Sequence, residues 1–307
     1  MRIVFMGTAE FAVPSLKRLV EEGYNVVGVV TAPDKPAGRG LKMNKSHVKV
    51  AAEELGLNIL QPEKLKSEEF LSELRDLKAD LQIVVAFRML PEVVWSMPKE
   101  GTFNLHSSLL PQYRGAAPIN WAIMNGDKES GVTTFFLKHE IDTGNIIFQD
   151  KTLIDPEENV GSLYARLMTM GGELVIKTVK AIVDGSANPI AQDESYVLRH
   201  APKIFKEDCK IDWTKSLDEI HNFTRGLSPY PVAWTELDGK NLRIFKGHRE
   251  ATKSKEIAGS LIQDGKTLKV AVEGGYFVLD EIQIQGKKRM KVEDFLNGYK
   301  LEKTKQL

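Results

Sequence analysis

The chain has 307 residues, with 42 basic and 42 acidic side chains and no net charge. That length carries two domains with cores of their own, and the neutral total selects no partner by charge alone. A single cysteine, Cys209, and six scattered histidines exclude a disulfide framework and a cysteine-based zinc site within one chain, so no metal is expected.

Ile3–Met6 is an apolar run that reads as a strand, ended by Gly7. A strand starting there leaves no room for a targeting leader, and no stretch approaches the ~20 apolar residues of a membrane span. A reducing cytoplasm is therefore expected. Residues 11–22 have helical apolar spacing, and Val26–Val30 is a second buried strand. Residues 48–55 read as a helix, 58–60 as a strand, 70–77 as a helix, and 81–86 and 102–105 as strands. Continuous apolar strands separated by helices predict a parallel sheet covered on both faces, an α/β Rossmann-like domain. Gly7 and Ala12 match the first and third positions of a dinucleotide fingerprint. Ala9 stands where the second glycine is needed, which argues against a nicotinamide cofactor.

Residues 32–46 read as a loop with two prolines, two glycines and the basic residues Lys35, Arg39, Lys42 and Lys45. Loops of this length within a compact domain tend to be functional. Strands are predicted at 131–137 and 146–148, flanking Asp142, and a long amphipathic helix at about 162–183. Residues 186–206 lose periodicity and carry Pro189 and Pro202. They read as a linker between a catalytic domain over 1–185 and a C-terminal domain over 207–307. The C-terminal part has one predicted helix, 217–225, and five short strands, which suggests a small β-barrel of the oligonucleotide-binding (OB-like) type. From His200 onward there are 20 basic and 16 acidic residues, against 22 and 26 before it, a modest positive bias that fits contact with an anion such as nucleic acid.

Asn104 and His106 lie two apart at the end of an apolar run, so a strand projects both to one face. Strand ends are where open α/β sheets bind ligands. Asp142, in Asp142-Thr143-Gly144, adds a carboxylate. Amide, imidazole and carboxylate in one cleft could bind a developing oxyanion, carry a proton and orient the carrier.

The order Asn-x-His, Ser-Leu-Leu-Pro (108–111), Gly115 and a later Asp-Thr-Gly closely resembles the folate-dependent formyltransferases. That resemblance implies a formyl donor, 10-formyltetrahydrofolate, and a catalytic trio of Asn104, His106 and Asp142. It implies folate contacts at Ser108, Leu109, Leu110 and Pro111, with Phe87 and Met89 walling the pterin pocket. The segment 87–91 departs from the common family pattern, because Arg88-Met89 replaces a glycine-containing turn. Among the relatives, the methionyl-tRNA formyltransferases match over almost the whole chain, through 33–40, 115–119, 211–213, 229–231 and 286–288. They imply initiator methionyl-tRNA as acceptor, gripped by Arg39, Lys42 and Lys45 and by Lys287, Lys288 and Arg289. The expected protein is a monomer with no membrane partner. Sugar-nucleotide formyltransferases, similar in length, remain the alternative. A binding module built from a retired enzyme is disfavoured by the intact trio.

Overall fold

The computed structural model describes residues 1–37, 42–195, 197–301 and 304–307, and for residues 37 and 42 the backbone only. The chain divides into two compact units. The first holds Met1–Gly115, Gly131–Thr152 and Tyr164–His200, and the second holds Ala116–Ser130, Leu153–Leu163 and Ala201–Leu307. The spans read from the sequence differ from these units at 116–130 and 153–163, and the stretch read as a linker is divided, 186–200 falling in the first unit and 201–206 in the second. The helix Pro118–Met124 explains the first difference: it packs on the helix Leu217–Leu227, with Met124 against Gly226.

The first unit is built on a seven-stranded sheet. Its order is Ile146–Leu153, Glu129–Phe136, Thr102–His106, Leu81–Val85, Arg2–Gly7, Asn25–Val30, Ile59–Leu60. The strands from Thr102–His106 to Ile59–Leu60 run parallel, as the Rossmann-like reading expects. Glu129–Phe136 joins antiparallel to Thr102–His106. Ile3, Val4, Phe5 and Met6 are fully buried in the central strand, because helices cover both faces of a parallel sheet. Gly7 ends that strand where a Cβ would lie 2.8 Å from the Ala12 Cβ, so only glycine lets the following turn approach.

The helix expected at 11–22 is split into a 3-10 turn at Glu10–Ala12 and an α-helix at Val13–Glu21. Pro14 is the cause. It has no N–H to give an earlier turn, and it suits a helix start. The helix His47–Glu54 begins at Ser46, whose side chain accepts from Lys49 N–H at 3.0 Å. The described part of 32–46 is less irregular than expected, since Lys35–Ala37 pairs antiparallel with Lys42–Asn44.

The second unit centres on an antiparallel sheet of Ala233–Leu237, Lys240–Ala251, Gly275–Ile284, Thr267–Val272, Ser260–Asp264 and Lys305–Gln306, in that order. Met290–Lys291 pairs with Gly275–Ile284. This is the half-barrel form of the small β domain that the pattern of one helix and five short strands implied. Its core joins Trp213, Leu217 and Ile220 to Leu242, Ile244, Leu268, Val270, Phe277 and Leu279. The helix Leu217–Leu227 starts with a capping box, Ser216 and Glu219 each bonding the other's backbone N–H.

Candidate active site

Thr102–His106 lies between Leu81–Val85 and Glu129–Phe136, and the carboxyl ends of such strands are where open α/β sheets bind ligands. Asn104 and His106 share one face there. Asn104 is half-buried, and its side chain makes no hydrogen bond with any described residue, so its NH₂ can donate to a substrate oxygen. His106 is 6% exposed.

After His106 the chain turns through residues 107–113. Tyr113 sits at φ 61°, in the left-handed region, and its carbonyl accepts from His106 Nε2 at 2.8 Å. A carbonyl can only accept, so Nε2 carries a hydrogen. Nδ1 is then the nitrogen open to proton exchange. Asp142 Oδ2 lies 3.8 Å from it. That spacing is too long for a direct hydrogen bond and short enough for strong attraction between charges.

Asp142 is held in the loop between Glu129–Phe136 and Ile146–Leu153. Its φ is 54°, and its Oδ2 accepts from Gly115 N–H at 2.9 Å. Gly144 is needed two residues on, because a Cβ there would fall 1.6 Å from the Phe136 carbonyl oxygen. The expected trio thus divides into a facing pair, His106 and Asp142, and an amide upstream on the same strand face.

The 108–111 turn is braced from within. Ser108 Oγ donates to the Gln112 carbonyl at 2.6 Å, and Thr133 Oγ1 donates to the Ser108 carbonyl at 2.6 Å. Gln149 Nε2 donates to the Leu110 carbonyl at 2.8 Å. Ser108 and Leu110 are 1% and 3% exposed, and Leu110 packs on Phe135 and Ile146. Leu109 and Pro111 are half-buried. Phe87 packs against the core of the sheet, and Met89 is 72% exposed. Arg88 is tied to the Glu63 carbonyl at 2.9 Å and to the Pro62 carbonyl.

Of the cations read as tRNA contacts, Arg39 lies outside the described residues, and so does the side chain of Lys42. Lys45 is paired with Glu53 at 2.8 Å. Lys287 and Lys288 are exposed. Arg289 covers the Phe245 ring at 4.4 Å, bonds Glu281, and lines a cavity of about 460 Å³ in the second unit. Among the described residues, no group of three or more His, Cys, Asp or Glu side chains could hold a metal ion. No helix of the described residues is long and apolar enough to cross a membrane.

The family model described as formyl transferase matches residues 1–179, and the formyl transferase C-terminal domain matches residues 203–300. The methionyl-tRNA formyltransferase of Phocaeicola vulgatus is 58% identical over 311 residues, covering 98% of this chain and 96% of its own. That of Bacteroides thetaiotaomicron is 54% identical over 310 residues, with the same coverage. The chain belongs to the methionyl-tRNA formyltransferase family. Two solved structures share the fold of this family at low identity. An N-formyltransferase from Helicobacter canadensis, in complex with folinic acid and dTDP-3-aminofucose, has a TM-score of 0.66 at 22% identity, covering 90% of this chain and 97% of that one. HypX from Aquifex aeolicus, in complex with tetrahydrofolic acid, has a TM-score of 0.63 at 20% identity, covering 96% of this chain and 47% of that one.

Several residues of this site act through parts a motif does not display. Tyr113 contributes a carbonyl and Gly115 an N–H, and main-chain groups leave no trace in side-chain chemistry. Thr133 and Gln149 reach the 108–111 turn from neighbouring strands, so their role depends on sheet register.

Proposed function

We infer that the chain transfers the formyl group of 10-formyltetrahydrofolate to the free amino group of initiator methionyl-tRNA, acting in the cytoplasm as a monomer. The observation that carries the chemistry is the opposition of His106 Nδ1 and Asp142 Oδ2, with Nε2 already committed to Tyr113. The relatives carry the choice of acceptor.

The amine nitrogen attacks the formyl carbon, forming the new C–N bond while the carbonyl oxygen becomes an oxyanion. The Asn104 amide donates to that oxygen, and its hydrogen bond strengthens as charge develops. His106, at the same strand end, adds a donor through Nδ1. Asp142 takes the proton the amine sheds and passes it, directly or through one water, toward the folate nitrogen as the old C–N bond breaks. The oxyanion re-forms the carbonyl, the proton shed by the amine ends on the departing folate nitrogen, and the products are the formylated amine and tetrahydrofolate.

Leu109, Pro111, Phe87 and Met89 supply apolar surface for the pterin. Ser108 and Leu110 support the turn from below, since their own polar groups are satisfied within the chain. Arg39, Lys42, Lys287 and Lys288 supply cations for the tRNA backbone, together with Lys45 and Arg289 once released from their carboxylates. Contacts of this kind weaken steeply with salt.

The test is formylation by the purified protein with 10-formyltetrahydrofolate and a panel of acceptors: charged initiator methionyl-tRNA, the uncharged tRNA, and amino-sugar nucleotides. Product on the charged initiator alone supports this function. Product on a sugar nucleotide alone overturns the choice of acceptor. Arg39→Ala is expected to raise the KM for tRNA and flatten its salt dependence; unchanged kinetics remove Arg39 from the tRNA surface.

A further inference from the structure

We propose that Gln192 is a positioning residue for formyl transfer, acting through Asp142; the proposal rests on the formyl-transfer function inferred above.

Asp142 has a φ of 54°, where a non-glycine residue rarely sits unless its surroundings hold it. Gln192 does the holding. Its Nε2 donates to the Asp142 carbonyl at 2.7 Å and to the Gly144 carbonyl at 2.9 Å. Both amide hydrogens are therefore spent on the two carbonyls that flank Thr143. Its Oε1 accepts from Arg114 Nε at 3.1 Å and Nη2 at 2.7 Å. Two donors and two lone pairs are all a primary amide has, and Gln192 uses every one.

The second pair of bonds reaches the same carboxylate by another route. Arg114 precedes Gly115, whose N–H donates to Asp142 Oδ2 at 2.9 Å. Gln192 thus grips the backbone of Asp142 directly and, through Arg114, the strand segment that aims its carboxylate. Arg114 is further fixed by Glu194 Oε1 at 2.7 Å. The charged groups facing this junction are Asp142, Arg114 and Glu194, with His106 beyond the carboxylate.

The side chain is specific for this task. Glutamate at 192 keeps the bond to Arg114 but turns an oxygen without hydrogen toward two carbonyls. Methionine keeps the length and loses both sets of bonds. Neither change touches the substrate directly, so the consequence falls on the orientation of Asp142 relative to His106.

The experiment compares the full chain as wild type, Gln192→Met and Gln192→Glu. In the folded variants kcat for formylation is expected to fall about 10- to 100-fold, as expected for a catalytic group displaced by about an ångström. The KM values for methionyl-tRNA and for 10-formyltetrahydrofolate are expected to stay within about threefold, since positioning and not binding is lost. The acid limb of the kcat/KM profile against pH is expected to move. A brace with no catalytic consequence lowers thermal stability and leaves kcat and the pH profile unchanged, and that result overturns the proposal. A second readout needs no activity: the crystal structure of substrate-free Gln192→Met. The Asp142 carboxylate is expected to have left the Gly115 N–H that it accepts from in the wild type, and an unmoved carboxylate overturns the proposal. If the wild type makes no formylmethionyl-tRNA, the inferred function fails, and the position of the Asp142 carboxylate alone decides the role of Gln192.

Discussion

His106 and Asp142 meet with Nδ1 and Oδ2 3.8 Å apart, while the far nitrogen of the same ring is fixed on the Tyr113 carbonyl at 2.8 Å. The ring therefore cannot turn to offer Nε2 to a substrate without losing a buried hydrogen bond. Such a loss costs about 1–3 kcal/mol. Of the two ring nitrogens, only Nδ1 is left to face the carboxylate.

Asn104 offers the simplest separation of binding from catalysis. Its side chain supports no other described residue, so Asn104→Ala should fold normally. Loss of one oxyanion donor costs about 2.7–4 kcal/mol in the transition state, or about 10²–10³ in kcat. Steady-state formylation kinetics check this, and a kcat near wild type removes Asn104 from the oxyanion site.

Gly144→Ala is expected to disable the enzyme without altering any side chain of the trio. The new Cβ would overlap the Phe136 carbonyl, so the loop carrying Asp142 must shift. Overpacking of this kind costs about 1–3 kcal/mol or more in stability. Thermal unfolding and turnover are expected to fall together, and a crystal structure of the variant would show the Asp142 carboxylate moved from Gly115 N–H.

In the second unit, acid should act through His221. Its Nε2 lies 3.3 Å from Glu157 Oε2, a contact that alone would favour the charged ring. Burial outweighs it, and the Arg249 guanidinium, bound to both Glu157 and Asp218, acts in the same direction. The folded pKa is therefore below the ordinary histidine value. The unfolded chain binds the proton more readily, so stability is complete above about pH 6.5 and declines as pH falls toward the folded pKa. Melting temperatures between pH 7.5 and 5 should fall less steeply in His221→Gln than in wild type; equal slopes contradict this.

Cys209 should be inert in the folded protein. It is buried, with Sγ 3.2 Å from the Phe205 carbonyl, and burial, with Asp208 and Glu207 beside it, pushes its thiol up to about 11. The thiolate is the reactive form, so labelling near neutral pH should be at least ~100-fold slower than in denaturant. Equal rates with a colorimetric disulfide reagent contradict this.

Much of this architecture could be read from residue patterns, for identifiable reasons. The strands at 3–6, 26–30, 81–86 and 102–105 announced themselves because a sheet buried on both faces needs uninterrupted apolar runs. Asn104 and His106 were legible because strand alternation alone puts them on one face. The full length of the strand Lys240–Ala251 is hidden in the sequence, since its second half is polar, exposed and preceded by register shifts at 244–247. Short helices at Pro118–Met124 and Val292–Leu296 have too few turns to establish a period. Gln192 was invisible for a different reason. It lies in an aperiodic stretch fifty residues from Asp142, and only folding brings its amide to the loop.

The most direct measurement is single-turnover transfer from 10-formyltetrahydrofolate to charged initiator methionyl-tRNA, with the wild type beside His106→Ala and Asp142→Asn. Binding of both substrates is followed separately. The expected result is rapid formylation by the wild type, and variants that fold and bind both substrates but transfer at least about 10²-fold more slowly. Wild-type transfer rates in either folded variant exclude His106 and Asp142 as the catalytic pair, and no transfer to methionyl-tRNA by the wild type excludes the inferred function.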